Sequence, residues 1–173
     1  MRSPLHALSA LLLSAAAITL AAPSNAQQPD GWTALEQSPE AVLAHQRLPG
    51  NARAQAKRRG AIRTVPHLFV YHRDGTPAFH MDGLRPGFER QLNLLIDAFR
   101  IDRSMVELET LLANARNGEG VAPIEGDLEP GRIVLVLYTR NGCSDCDAVR
   151  DRLESWLEGR PDLRPNRLLI RMP

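Results

Sequence analysis

The chain has little cysteine, only one long apolar run, and no excess of charge of either sign. Of its 173 residues only Cys143 and Cys146 are cysteines, which excludes a disulfide-dense miniprotein. Lysine and arginine total 21 against 20 aspartates and glutamates, a formal net charge of +1. A dedicated nucleic-acid binder carries a strong basic excess, so no nucleic-acid partner is expected. Internal repeats and low-complexity stretches are absent. With 43% hydrophobic and 24% charged residues, the composition excludes disordered, collagen-like and coiled-coil chains. What remains is a globular protein of one domain, or one and a half.

The one long apolar run lies at the start. Arg2 is followed by Ala7 to Ala22 (ALSALLLSAAAITLAA), then by Ser24 and Ala26, spaced as the small residues of a cleavage site. This is the layout of a secretory signal peptide over residues 1–26, and the run falls short of the roughly 20 residues that span a bilayer. An uncleaved anchor is the alternative. Cleavage leaves 147 residues with twenty basic and twenty acidic side chains, and no further membrane span. Export implies the periplasm of a Gram-negative bacterium, an oxidising compartment where disulfides persist.

Along the mature chain, residues 27–37 read as polar and irregular. Ser38-Pro39-Glu40 reads as a helix start, with Ser as cap, Pro at the first position and an acid near the positive end. A helix is expected over Asn51–Arg59, stopped by Gly60. Val65–Tyr71 reads as a strand with Pro66 at its beginning. Arg73-Asp74-Gly75 then turns the chain back into a strand, Pro77–Met81. Phe88, Leu92, Leu95, Ile96 and Phe99 recur at helical spacing over residues 86–99. A further helix is expected over Met105–Ala115, with Ser104 and Glu107 as a capping box and Met105, Leu108, Leu111 and Leu112 as its apolar face. Residues 116–131 are rich in glycine, proline and acid, and read as a surface linker. Ile133–Tyr138 is six apolar residues without alternation, the pattern of a strand buried on both faces. An amphipathic helix runs from the cysteines to about Leu157, and Arg167–Met172 is a last strand.

Val149, Leu153, Trp156 and Leu157 define the inward face of that helix, and Cys146 falls on the same face. Cys143 sits one turn earlier, at the helix N-terminus, where unpaired N–H groups and the helix field favour a thiolate. One outward activated thiol with a shielded thiol behind it suits thiol–disulfide exchange, Cys143 attacking and Cys146 resolving. Two other readings of a bare C-x-x-C stay open. It could be half of a metal site completed by His67, His72 or His80, although zinc prefers four ligands. It could also be an inert structural disulfide, although so short a loop constrains little of the unfolded chain. His67 otherwise reads as a strand residue of no chemical role, with His72 and His80 in solvent.

IVLVLYTRNGCSDC resembles the first core strand and active-site turn of the thioredoxin-like superfamily, its Tyr-Thr lead-in closer to glutaredoxins. Asn51 to Gly83 (NARAQAKRRGAIRTVPHLFVYHRDGTPAFHMDG) resembles the second half of the same fold, which in the family follows the cysteines. Here it precedes them. The resemblance therefore implies an α/β, thioredoxin-like fold in circularly permuted order, with a central mixed four-stranded sheet flanked by helices. Residues 27–173 would form a single thioredoxin-like domain, with 38–115 as its second half, 116–131 as the linker and 132–173 as its first half. A degenerate domain beside an incomplete one is the rival to permutation. Val65 and Pro66 match the family's cis-proline loop, which implies a substrate-binding role, and permutation expects Pro66 to be cis and beside the cysteines.

The chain departs from the family in several places. Leu137 stands where thioredoxin has a buried acid, Gly142 where a Trp usually precedes the first cysteine, and His67 where Thr is common. Asp145 and Asp147 disfavour the Cys143 thiolate, and Arg140 and Arg150 partly oppose them. The function expected is a periplasmic thiol–disulfide oxidoreductase with no cofactor beyond the redox-active disulfide. Its partners would be protein thiols or disulfides and an external redox partner, and it would be a monomer or a domain-swapped dimer. The alternatives are a thioredoxin-fold copper- or zinc-handling protein and a non-catalytic interaction module of an envelope assembly.

Overall fold

A computed structural model describes residues 31–41 and 64–173. The strands are β1 (Thr33–Gln37), β2 (His67–Tyr71), β3 (Pro77–Asp82), β4 (Ala115–Arg116), β5 (Val134–Thr139) and β6 (Asn166–Arg171). The helices are α1 (Phe88–Asp97), α2 (Leu108–Ala113) and α3 (Ser144–Glu158). All six strands join one mixed sheet in the order β3-β2-β5-β6-β1-β4. The middle strands β5, β6 and β1 are parallel, and β2, β3 and β4 each run antiparallel to their inner neighbour.

The unbroken apolar run of β5 follows from its place in this sheet. Leu135 and Leu137 face a core layer shared with Phe88 and Leu92 of α1 and with Val149, Leu153, Trp156 and Leu157 of α3. Val134, Val136 and Tyr138 face the opposite layer, filled by Met105, Val106 and Leu108, Leu111 and Leu112 of α2. A strand with helices on both faces has no polar face to show. The β2–β3 turn uses the expected chemistry. Asp74 accepts from the backbone and hydroxyl of Thr76 at 3.0 and 2.7 Å, which holds its carboxyl below the ordinary aspartate range, and Gly75 takes a left-handed φ of 81°.

Several expectations need correction. The sheet has six strands, not four, because β1 and β4 extend it beyond β6. Residues 33–37 are not irregular: Thr33–Glu36 pair in register with Leu168–Arg171. The predicted cap at Ser38 does form, its hydroxyl accepting from Ala41 N–H at 3.2 Å, and residues 39–41 are helical. The predicted helix at 51–59 lies outside the described residues.

Further along, α1 ends at Asp97. Phe99 takes a positive φ of 48° beyond it, so its ring lies half exposed on His72 instead of continuing the core face. The Ser104/Glu107 capping box does not form. Asp102 captures both the backbone N–H and the hydroxyl of Ser104, at 2.9 and 2.6 Å, and α2 is shortened to six residues starting at Leu108. Its apolar face is still the one expected: Met105, Leu108, Leu111 and Leu112 are buried. Residues 116–131 are mostly exposed, and Leu128 packs against the α2 layer.

Candidate disulfide-exchange site

At the end of β5 the chain turns through Thr139 to Gly142 before α3 begins. Cys143 N–H donates to Arg140 C=O at 3.2 Å, closing the turn, and Gly142 takes a φ of 73°. Only glycine adopts that conformation without steric penalty, which gives a local reason for glycine just before Cys143. Cys143 has extended dihedrals and is the N-cap of α3, with its Sγ accepting from Cys146 N–H at 3.1 Å. That bond puts a cysteine sulfur where Ser or Asp usually sits and aims at it a first-turn N–H that is shared with Cys143 C=O at 3.0 Å. Cys143 is half-buried, Cys146 is 2% exposed, and the two are joined as a disulfide. Asp145 and Asp147 lie in the first turn and are exposed, and Asp147 pairs with Arg150 at 3.4 Å.

The Val65–Pro66 segment comes to the same end of the sheet. His67 is opposite Tyr138 in the antiparallel β2–β5 ladder, so the residues just before His67 run past the end of β5 that feeds the cysteine turn. The Val65–Pro66 peptide is cis, and Pro66 C=O accepts from Gly83 N–H at 2.9 Å. Thr64 Oγ1 donates to Asp82 Oδ1 at 2.6 Å, a contact for which no sequence spacing gives a signal. Leu137 is wholly buried in the layer beneath α3.

The rings of His67 and His80 stack with centres 6.3 Å apart. His67 is wholly buried, stacked on Phe69 with ring centres 4.5 Å apart, and its Nδ1 is 3.8 Å from Asp82. His72 is not in solvent as expected. It is buried, with Nε2 2.7 Å from Arg100 C=O and Phe99 stacked on its ring. His80 is partly exposed and bonded to Asp102 at 3.0 Å. Among the described residues, no three His, Cys, Asp or Glu side chains gather as a metal site, and no helix is long and apolar enough to cross a membrane. Burial pushes the phenols of Tyr71 and Tyr138 upward, so both stay neutral, and Tyr71 donates to Val106 C=O at 3.0 Å.

A cavity of about 520 Å³ lies at the opposite end of the sheet, among Thr33, Leu35, Val121, Arg132 and Asn166. It touches neither cysteine. Comparison with protein-family models, curated proteins and solved structures finds no match.

Proposed function

We propose that this chain is a periplasmic thiol–disulfide oxidoreductase whose thioredoxin-like halves run in circularly permuted order. The observation that carries the reading is the asymmetry of the cysteine pair. A partly exposed cysteine caps a fifteen-residue helix and its sulfur receives a backbone N–H, while its partner is buried one turn behind. The helix field and that donor stabilise a Cys143 thiolate, and burial shields Cys146 from competing partners. Two further features agree with the permuted arrangement. The cysteine helix joins two parallel strands, β5 and β6, and the Val65–Pro66 segment lies at the same end of the neighbouring strand.

In the reducing direction, the Cys143 thiolate attacks one sulfur of a substrate disulfide. A Cys143–substrate bond forms as the substrate S–S breaks, and the displaced sulfur leaves as a thiolate that takes a proton from water. The Cys146 thiolate then attacks Cys143 Sγ, forming the internal disulfide and releasing the second substrate thiol. The substrate gains two electrons and the cysteine pair loses two. The reverse sequence oxidises a dithiol.

Insulin reduction with a glutathione redox titration tests the proposal. Turnover is expected for the wild type, and none for Cys143→Ser. Full activity in Cys143→Ser overturns the assignment. Metal bound to the purified reduced protein, without exchange activity, supports a metal-handling role instead.

A further inference from the structure

Asp82 ends β3 and stands directly opposite His67 in the β2–β3 ladder. As the last residue of an edge strand, its carboxylate could project into water. Its side chain is still 37% exposed, yet it also turns back over the segment that leads into β2. Its Oδ1 accepts from Thr64 Oγ1 at 2.6 Å and lies 3.8 Å from His67 Nδ1. One residue on, Gly83 N–H donates to Pro66 C=O at 2.9 Å. Asp82 and Gly83 thus hold Thr64, Pro66 and His67, on both sides of Val65.

The two side-chain anchors differ in kind. His67 is wholly buried and stacked on Phe69, so it is fixed to the core. Thr64 is exposed, and its hydroxyl could be satisfied by water. The hydrogen bond from the exposed hydroxyl acts chiefly on the shape of the loop, while the contact with His67 ties that loop to the core. That loop stands at the end of the sheet that carries Cys143.

We propose that Asp82 is a positioning residue for disulfide exchange. Through Thr64 and His67 it holds Val65–Pro66 in the shape that receives the extended chain of a protein substrate. This rests on the oxidoreductase reading of Cys143 and Cys146. A small disulfide needs only the sulfurs and is indifferent to the clamp.

The test compares wild type, Asp82→Ala, Asp82→Asn and Thr64→Val with two substrates, insulin and hydroxyethyl disulfide. Asp82→Ala and Thr64→Val are expected to raise KM for insulin about tenfold, the size of one lost charge-assisted hydrogen bond, with kcat nearly unchanged. Neither should alter turnover of hydroxyethyl disulfide. Asp82→Asn keeps an acceptor oxygen for Thr64 and should recover most of the insulin KM. If Asp82→Ala does not fold, Thr64→Val, a surface change, carries the test alone. Equal losses on both substrates, or an unchanged insulin KM, overturn the positioning role and leave the oxidoreductase reading standing. A wild type inactive on both substrates overturns that reading, and the role of Asp82 with it.

Discussion

Arg152 of α3 grips Glu89 of α1 with two parallel hydrogen bonds, at 2.5 and 2.8 Å, and its guanidinium lies 4.9 Å from the centre of the Phe88 ring. Four residues along α1, Asn93 Oδ1 accepts from both Trp156 Nε1 and Arg160, at 2.9 and 2.8 Å, and Arg160 also reaches Asp97 at 2.9 Å. The helix that carries the cysteines is therefore fastened to α1 by polar clamps above a shared apolar layer.

Arg152→Met should lower the free energy of unfolding by about 1–2 kcal/mol. A bidentate pair with a cation–π contact exceeds an ordinary surface ion pair, but both partners keep some contact with water. The urea midpoint should fall with the slope unchanged, which a denaturation curve measures directly.

Trp32 is the stronger anchor. It is wholly buried in the α3 layer, and its Nε1 donates to Glu154 Oε1 at 2.6 Å, while Arg167 holds the other carboxylate oxygen at 2.8 Å. Trp32→Ala should cost about 3–5 kcal/mol through lost burial and the resulting cavity. Trp32→Phe should cost roughly 1–2 kcal/mol, since Arg167 still satisfies Glu154. Urea unfolding of the two variants separates the contributions of the ring and the hydrogen bond.

In the reduced protein the two thiols should alkylate at very different rates. Cys143 is half-buried at the helix cap, whereas Cys146 is 2% exposed. Iodoacetamide should modify Cys143 at least about tenfold faster. Peptide mass spectrometry of a time course reads the ratio, and a faster Cys146 would reverse the assigned roles. Cys146→Ser should accumulate mixed disulfides on Cys143.

Acid should weaken the fold partly through Asp102. Burial works to raise its pKa, but the Ser104 side-chain and backbone hydrogen bonds, followed by His80, hold it below the ordinary aspartate value of 3.8. The unfolded chain therefore binds the proton more readily. The stabilising contribution is present above 3.8 and is lost as pH falls through the lower folded-state value. Asp102→Ala should be less stable than wild type at neutral pH, with the gap narrowing under acid. Urea midpoints of both proteins on either side of 3.8 test this.

The features legible in the sequence are those whose physics is local. The apolar run of β5, the Asp74-Gly75 turn, the Ser38 cap and the inward face of α3 announce themselves within a few residues, and so does the cysteine pair. Features decided by distant partners were not legible. TALEQ becomes a strand only because β6 lies beside it, and β4 is two residues that pair with Glu36 and Gln37. Ser104 has a cap-like spacing, yet Asp102 outcompetes the helix for it. His72 reads as facing solvent, but the chain returning at Phe99 and Arg100 buries it. At the site, Thr64 and Asp82 meet across 18 positions, a contact created by the hairpin.

The pairing of β1 with β6 also bears on when the sheet can be completed. Glu36 and Arg171, which meet through a side-chain ion pair at 3.2 Å, are 135 positions apart, and Trp32 and Glu154 are 122 apart. Contacts of such sequence separation lose loop entropy before they gain any burial, so they form late and slowly. During synthesis, β1 has no parallel neighbour until β6 has emerged, while the β2–β3 hairpin can already pair.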